Sequence, residues 1–170
     1  MLFKGTATRD ARRINLDAEL LGADVNAHTD RDHTAFYMRG LPEHSGEFAH
    51  MLADLVLQPS FPEAELERAR QVLLPALAAD ADDPVSSAYK LFDAACWGLH
   101  PAAMPVIGTR TRVERMTRDD LVQYVQRQYR GANVVVGAAG PIDGDAFVRE
   151  CEAAFGALPN PLGDALPGFP

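Results

Sequence analysis

The sequence predicts an α+β fold, a mostly antiparallel sheet with helices packed on one face. One observation is a hairpin-like stretch at 23–41, followed by several segments whose apolar residues recur at three- and four-residue steps and by one short apolar run near the end. Strands therefore do not alternate with helices along the chain, which argues against a doubly wound parallel sheet. In addition, 170 residues, 47% of them hydrophobic, supply enough material for one core, and no internal repeat suggests an array.

The opening MLFKGT reads as the tail of an element that begins upstream. The segment 8–22 places Ala11, Ile14, Ala18 and Leu21 on one helical face and stops at Gly22. Arms at 23–29 and 33–41, joined by Asp30, Arg31 and Asp32, are rich in Val, Thr, Phe and Tyr and form a β-hairpin. Its short polar arm VNAHT suits a sheet edge, where unpaired backbone groups accept another strand. A helix over 43–58 comes next, with Phe48, Met51, Leu52, Leu55 and Val56 inward.

After the QPSFP break, Ser60 and Glu63 read as a capping box opening a helix that runs to about residue 80. Its inward face is Leu66, Ala69, Val72, Leu73, Ala76 and Leu77, and Pro75 is an interior flaw expected to kink it. Asp83 and Pro84 restart the chain into a helix marked by Ala88, Leu91, Phe92 and Ala95 and ending near Gly98. A loop spans 100–108. Thr117 caps a helix with Leu121, Tyr124, Val125 and Gln128 inward. The run 132–140, ANVVVGAAG, is expected as a short buried strand, and 143–155 as a last helix with Phe147, Cys151, Ala154 and Phe155 inward. Residues 1–158 then form one domain, and the Pro- and Gly-rich 159–170 a tail or linker.

Composition excludes some functions. Asp plus Glu outnumber Lys plus Arg by 24 to 16, so nucleic acid is not an expected partner. No run of eighteen apolar residues and no charged-then-apolar leader appear, so the expectation is a cytoplasmic protein without a membrane partner. Cys96 and Cys151 lie among apolar residues with no paired spacing and are expected as buried free thiols. His28 and His33 flank the hairpin turn beside Asp30 and Asp32, but the simpler reading is exposed polar strand ends. Asp80, Asp82 and Asp83 read as a solvated turn and helix cap, not a calcium loop. The glycines of VVGAAGPIDG lack phosphate-binding spacing, and no serine or cysteine sits in a nucleophile motif.

Taken together, MLFKGTATR, LGADVNAHTDRDHTAFY, LADLVLQPSFPEAELERARQVL, the DDP turn, PVIGT and LVQYVQRQYRGANVVVGAAGPID resemble the pitrilysin, or insulinase-like, zinc peptidase family (M16), in that family's order. The resemblance runs from residue 1 to about 159. It implies a pitrilysin-type domain that lacks its first strands and the helix carrying HxxEH, the motif whose two histidines bind zinc and whose glutamate activates water. It also implies a third zinc ligand, a glutamate in a segment similar to ERERxVxxxEI. Here the text is ERARQVLLPAL, so the ligand position falls on Ala76 and a second acidic position on Ala69.

Neither methyl group has a lone pair for zinc, and restoring an upstream motif would leave Ala76 in place. The resemblance thus implies no catalytic residue, no metal ligand and no cofactor here, with zinc confined to active family members. It assigns Asn26, Ala27 and Thr29 to a strand along which extended peptides lie, and it implies a second domain or subunit of the same type, as a homo- or hetero-oligomer. Three readings stand open: a non-catalytic peptide-binding or partner subunit, a zinc-dependent endopeptidase whose HxxEH lies upstream, and a degenerate fragment without function.

Overall fold

A computed structural model describes residues 1–159. The expected tail at 159–170 falls, beyond Pro159, outside the described residues. Seven α-helices and one hairpin are found among the described residues: α1 (Ala11–Leu20), β1 (Asp24–Thr29), β2 (Thr34–Arg39), α2 (Ser45–Leu57), α3 (Glu63–Asp82), α4 (Pro84–Trp97), α5 (Arg110–Arg115), α6 (Arg118–Gln128) and α7 (Gly144–Phe155). The fold class is α+β, as the sequence predicts. Among the described residues the sheet consists of β1 and β2 alone, antiparallel, with Val25 opposite Met38 and Ala27 opposite Phe36. None of the described helices is long and apolar enough to cross a membrane.

The core lies where α1 and α2 meet under the hairpin. Ile14, Ala18, Met51 and Leu55 form its centre, with Phe3, Val25, Met38 and Leu52 packed around them. Asp10 caps α1 by accepting from the Arg13 amide. At the other end Gly22, at φ 58°, donates to Glu19 while Ala23 donates to Ala18, a Schellman stop that turns the chain into β1. The helix α7 lies along α2, with Phe147, Cys151, Ala154 and Phe155 half-buried as predicted.

The N-terminal segment is held by a charged knot. Asp54 on α2 accepts from the Thr6 hydroxyl at 2.8 Å, from the Thr8 hydroxyl at 3.2 Å and from Arg9 Nη1 at 2.7 Å. Arg9 Nε reaches Asp17 on α1 at 2.8 Å. Thr6 is itself buried, and its oxygen also accepts the Thr8 and Arg9 amides.

Several expectations are corrected. Ser60 does not cap α3: the helix starts after Pro62 with no side-chain cap, and the Ser60 amide donates instead to Gly5. The cause is Phe61, which takes φ 45° and turns its ring inward to 2% exposure. Burying a phenylalanine yields about 1.5–3 kcal/mol against about 1 for a cap, so the cap is given up. The face of α3 is only partly inward. Leu66 and Leu77 are buried, yet Val72 is 71% exposed, Leu73 38%, and Ala76 is exposed. At 100° per residue Ala76 and Val72 stand about 80° and 120° round the helix from buried Leu66, away from its buried stripe.

The predicted inward residues of α4 are likewise uncovered, and none of its residues is buried. In α6, Tyr124 and Gln128 are exposed while Leu121 and Val125 are half-buried. No strand forms at 132–140: Gly131–Asn133 is a 3-10 turn, the residues after it pair with no strand among the described residues, and Val135 is 96% exposed. An apolar, β-branched run needs a neighbouring strand for its backbone groups, and none of the described ones lies beside it. Cys96 is exposed rather than buried, because α4 has no cover on that side, whereas Cys151 is half-buried against α2 and its thiol is pushed up by burial and then by Glu150.

The caps at Asp83 and Thr117 are as predicted: Asp83 accepts from Val85 and Ser86, and Thr117 with Asp120 forms a full capping box. The knot at Asp54 gives the first testable outcome. Replacing Asp54 with Ala leaves Arg9 with Asp17 alone and takes the acceptor from the buried Thr6 hydroxyl, and urea unfolding should show a loss on the order of 2 kcal/mol. A change below about 0.5 kcal/mol, the size of an ordinary surface substitution, would show that the knot holds nothing.

Candidate functional site

Two surfaces bear on the expected chemistry, the face of α3 and the edge of β1. On α3, Ala69 is half-buried and Ala76 exposed, and both offer only methyl groups. Three of the helix's five acidic side chains are engaged elsewhere. Glu65 pairs with Lys4 and Arg68, Glu67 with Arg70, and Asp80 with Lys90 and the Ser86 hydroxyl. Lys90 and Ser86 together hold the Asp80 carboxyl below its usual range. Among the described residues no group of three or more His, Cys, Asp or Glu is placed to hold a metal ion. The α3 face of this chain therefore does not fit zinc, since a carbon-only surface supplies no donor. Arg70 crosses to the carbonyls of Val113 at 3.1 Å and Met116 at 2.7 Å, tying α3 to the α5–α6 junction.

The hairpin divides the three strand residues between its faces. Ala27 and Thr29 lie on the side of Val25, toward the core, and Asn26 lies on the outer side opposite Tyr37. The Asp30 amide donates to the His33 carbonyl at 2.8 Å. By the alternation of antiparallel pairs, this leaves the backbone groups of Val25, Ala27 and Thr29 turned to the open edge of β1. One of those edge amides is already taken: the Asn26 carboxamide oxygen accepts the Ala27 N–H at 2.8 Å. Asn26 thus closes the middle of the edge with its own side chain, and an added strand must displace it.

The tip of the hairpin is anchored at a distance. Arg31 forms an ion pair with Asp93 on α4 and donates to the Ala102 carbonyl at 2.6 Å. It lines a polar cleft of about 260 Å³ with Asp80, Lys90 and Ile107. Behind the hairpin, Phe36 meets Phe3 and Tyr129, at centroid distances of 6.1 and 6.3 Å. Burial, and then Tyr124, push the Tyr129 hydroxyl up to about 12. At the turn, Asp32 accepts from His33 Nδ1 at 2.8 Å, and this bond holds the imidazole above its ordinary value and the carboxyl below its own. The sequence carries no signal for the Arg31 contact, whose partner is 62 residues away. The bond from Ala27 to Asn26 was open to local reasoning, since Asn commonly binds neighbouring backbone.

Comparison with known proteins gives a consistent picture. The family description Insulinase (Peptidase family M16) matches residues 1–110. An uncharacterized zinc protease of Rickettsia bellii is 31% identical over 158 residues, 93% of this chain and 38% of that protein. The uncharacterized zinc protease YmxG of Bacillus subtilis is 32% identical over 157 residues, 92% of this chain and again 38% of that one. The chain thus spans well under half the length of these curated relatives. Among solved structures, a protease from Helicobacter pylori superposes with a TM-score of 0.88 at 20% identity, covering 99% of this chain and 41% of that one. A structure described as the inactive domain of a peptidase M16 from Pseudomonas fluorescens gives 0.86 at 24% identity, covering 94% and 39%.

The edge and the turn each give a testable outcome. Asn26→Ala should speed hydrogen exchange of the Ala27 amide roughly fivefold, the equivalent of about 1 kcal/mol for the lost bond, with the Val25 and Thr29 amides unchanged. For the turn, a raised folded value means that the His33–Asp32 bond stabilises fully below about pH 6.5 and fades as pH rises through that raised value. NMR titration of the His33 ring should move back toward the ordinary value in Asp32→Asn; an unmoved midpoint means the carboxylate is not the cause.

Proposed function

This chain belongs to the insulinase, or M16 peptidase, family, and from that membership we propose that it is a non-catalytic peptidase homologue that holds an extended peptide along β1 and works with a second domain or subunit of the same type. The observation that carries the reading is Ala76. At the position that the family resemblance gives to the third zinc ligand, this chain has a methyl group on an exposed helical face, and among the described residues no cluster of donors stands in for it. The Pseudomonas fluorescens neighbour, described as an inactive domain, is a precedent for this fold without catalysis.

Peptide holding makes a different demand. Strand addition uses backbone N–H and C=O groups, and β1 offers those of Val25 and Thr29 on either side of the Asn26 closure. The partner part of the reading is supported by uncovered apolar surface. Val85, Tyr89 and Phe92 on α4, between 61% and 68% exposed, border a groove of about 490 Å³ together with Pro84 and Ala88. Contiguous apolar surface of this kind marks interaction sites on soluble domains.

The competing reading, a zinc endopeptidase completed by ligands from another segment, draws on the names of the relatives. One assay separates the two. Unstructured peptides incubated with the chain and excess zinc should stay intact, and fluorescence anisotropy should show peptide binding that persists in chelator. Cleavage that chelator abolishes would establish the endopeptidase instead. Ala76→Glu should change stability by less than about 0.5 kcal/mol, since the position is exposed. That variant should confer no cleavage.

A further inference from the structure

We propose that the hairpin tip chelates a divalent transition-metal cation, with His28 and His33 as its two protein ligands. The Nε2 atoms of the two rings lie 3.3 Å apart. Two imidazole nitrogens bound at about 2.0–2.1 Å to one tetrahedral ion stand roughly 3.3–3.4 Å apart, so the spacing found is the spacing a chelate needs. The rings meet edge to face, at 87° and 5.3 Å between centroids, and a turn of one ring about its soft χ2 brings both lone pairs onto a shared ion.

The proton positions favour this exchange. Asp32 is acceptor-only, so its bond to His33 Nδ1 places the proton there and leaves the Nε2 lone pair of His33 outward. The proton between the rings therefore belongs to His28 Nε2. When the cation enters, two nitrogen–metal bonds form, the Nε2–H···Nε2 bond breaks, and the His28 proton moves through solvent from Nε2 to Nδ1, so both ligands bind as neutral imidazoles with no net proton release. The local charge also suits a cation. Asp30 and Asp32 flank the pair, while Arg31 of the same turn is drawn off to Asp93 and the Ala102 carbonyl. Neutral imidazole selects ions such as Zn²⁺, Ni²⁺ or Cu²⁺ over calcium or magnesium. The backbone is held for the purpose by the Asp30–His33 bond and by the pairing of Thr29 with Thr34. Two positions of a tetrahedral shell remain for water.

The test is a titration of the full chain with ZnCl2, tracked through the histidine ring resonances in NMR. His28 and His33 should shift together at one ion per chain, with His44, His50 and His100 unmoved. His28→Gln should abolish the saturable shift of His33, Asp32→Asn should weaken binding about tenfold, and His50→Gln should leave it unchanged. Absence of a shift at millimolar zinc, unchanged affinity in His28→Gln, or saturation centred on His50 each overturns the proposal. If His28→Gln disturbs the hairpin, the wild-type resonance map decides by itself. Neither peptide cleavage nor peptide affinity enters these readouts, so the outcome is independent of the peptide reading.

Discussion

Asp54 sits between buried Ala53 and Leu55 in the last turn of α2, with its side chain 13% exposed. A carboxylate at that depth is tolerable only because Thr6, Thr8 and Arg9 all reach it. The same Arg9 continues to Asp17, so one guanidinium fixes the N-terminal segment, α1 and α2 to one another. The core and the hairpin above it depend on that fixed angle. Ile14 and Ala18 meet Met51 and Leu55, the hairpin lays Val25 and Met38 on the result, and the strand pleat then dictates which residues look outward. Asn26, His28 and Tyr37 face solvent because Val25 and Met38 are committed to the core.

The molecule is unevenly finished. The buried apolar residues are concentrated around α1, α2 and the hairpin, whereas most of the large apolar side chains of α4 and Val72, Val135 and Val136 have little cover among the described residues. Val72, Phe92 and Val135 belong to segments whose backbone geometry is regular or extended, so local conformation has been satisfied without tertiary burial. The salt bridges of this half, Lys90 with Asp80 and Arg31 with Asp93, lie at partly exposed sites where ion pairs contribute little. The two halves are joined by polar contacts such as Lys4 to Glu65 and Arg31 to Asp93, which position the elements.

That unevenness explains which features were legible in the sequence. Rules that act within about four residues were readable and hold: the Gly22 stop, the Asp83 cap, the Thr117–Asp120 box and the hairpin between residues 23 and 41. Burial was readable where the covering element is close in the chain or strongly amphipathic, as for Phe48 to Val56 and for α7. It failed on Val72, Ala76 and Phe92, because periodicity marks a face as apolar without saying that anything will lie on it. Ser60 failed for another reason: the cap competed with Phe61 for the same short stretch of backbone, and the larger burial term won. The strand at 132–140 failed because pairing is a property of two segments, of which the local sequence specifies one. Asn26, Ala27 and Thr29 share one strand, and alternation alone sends Asn26 outward and Ala27 inward; the closure of the edge by the Asn26 side chain follows from no such pattern.

The family resemblance joins two kinds of chemistry in neighbouring parts of one chain, and they differ in what sustains them. Metal binding on α3 depends on a lone pair at a single side chain. Alanine removes it while being the best helix former, so the helix is untouched by the loss and carries no structural penalty for it. Strand addition at β1 depends on backbone groups that every residue except proline possesses, and on a pleat set by the core beneath. Nothing in the packing of α1, α2 and the hairpin refers to residue 76. A change there leaves the open edge of β1, its Asn26 closure and its anchored tip as they were, so the two parts of the proposal, no metal ligand at residue 76 and a peptide held along β1, are compatible in the same fold.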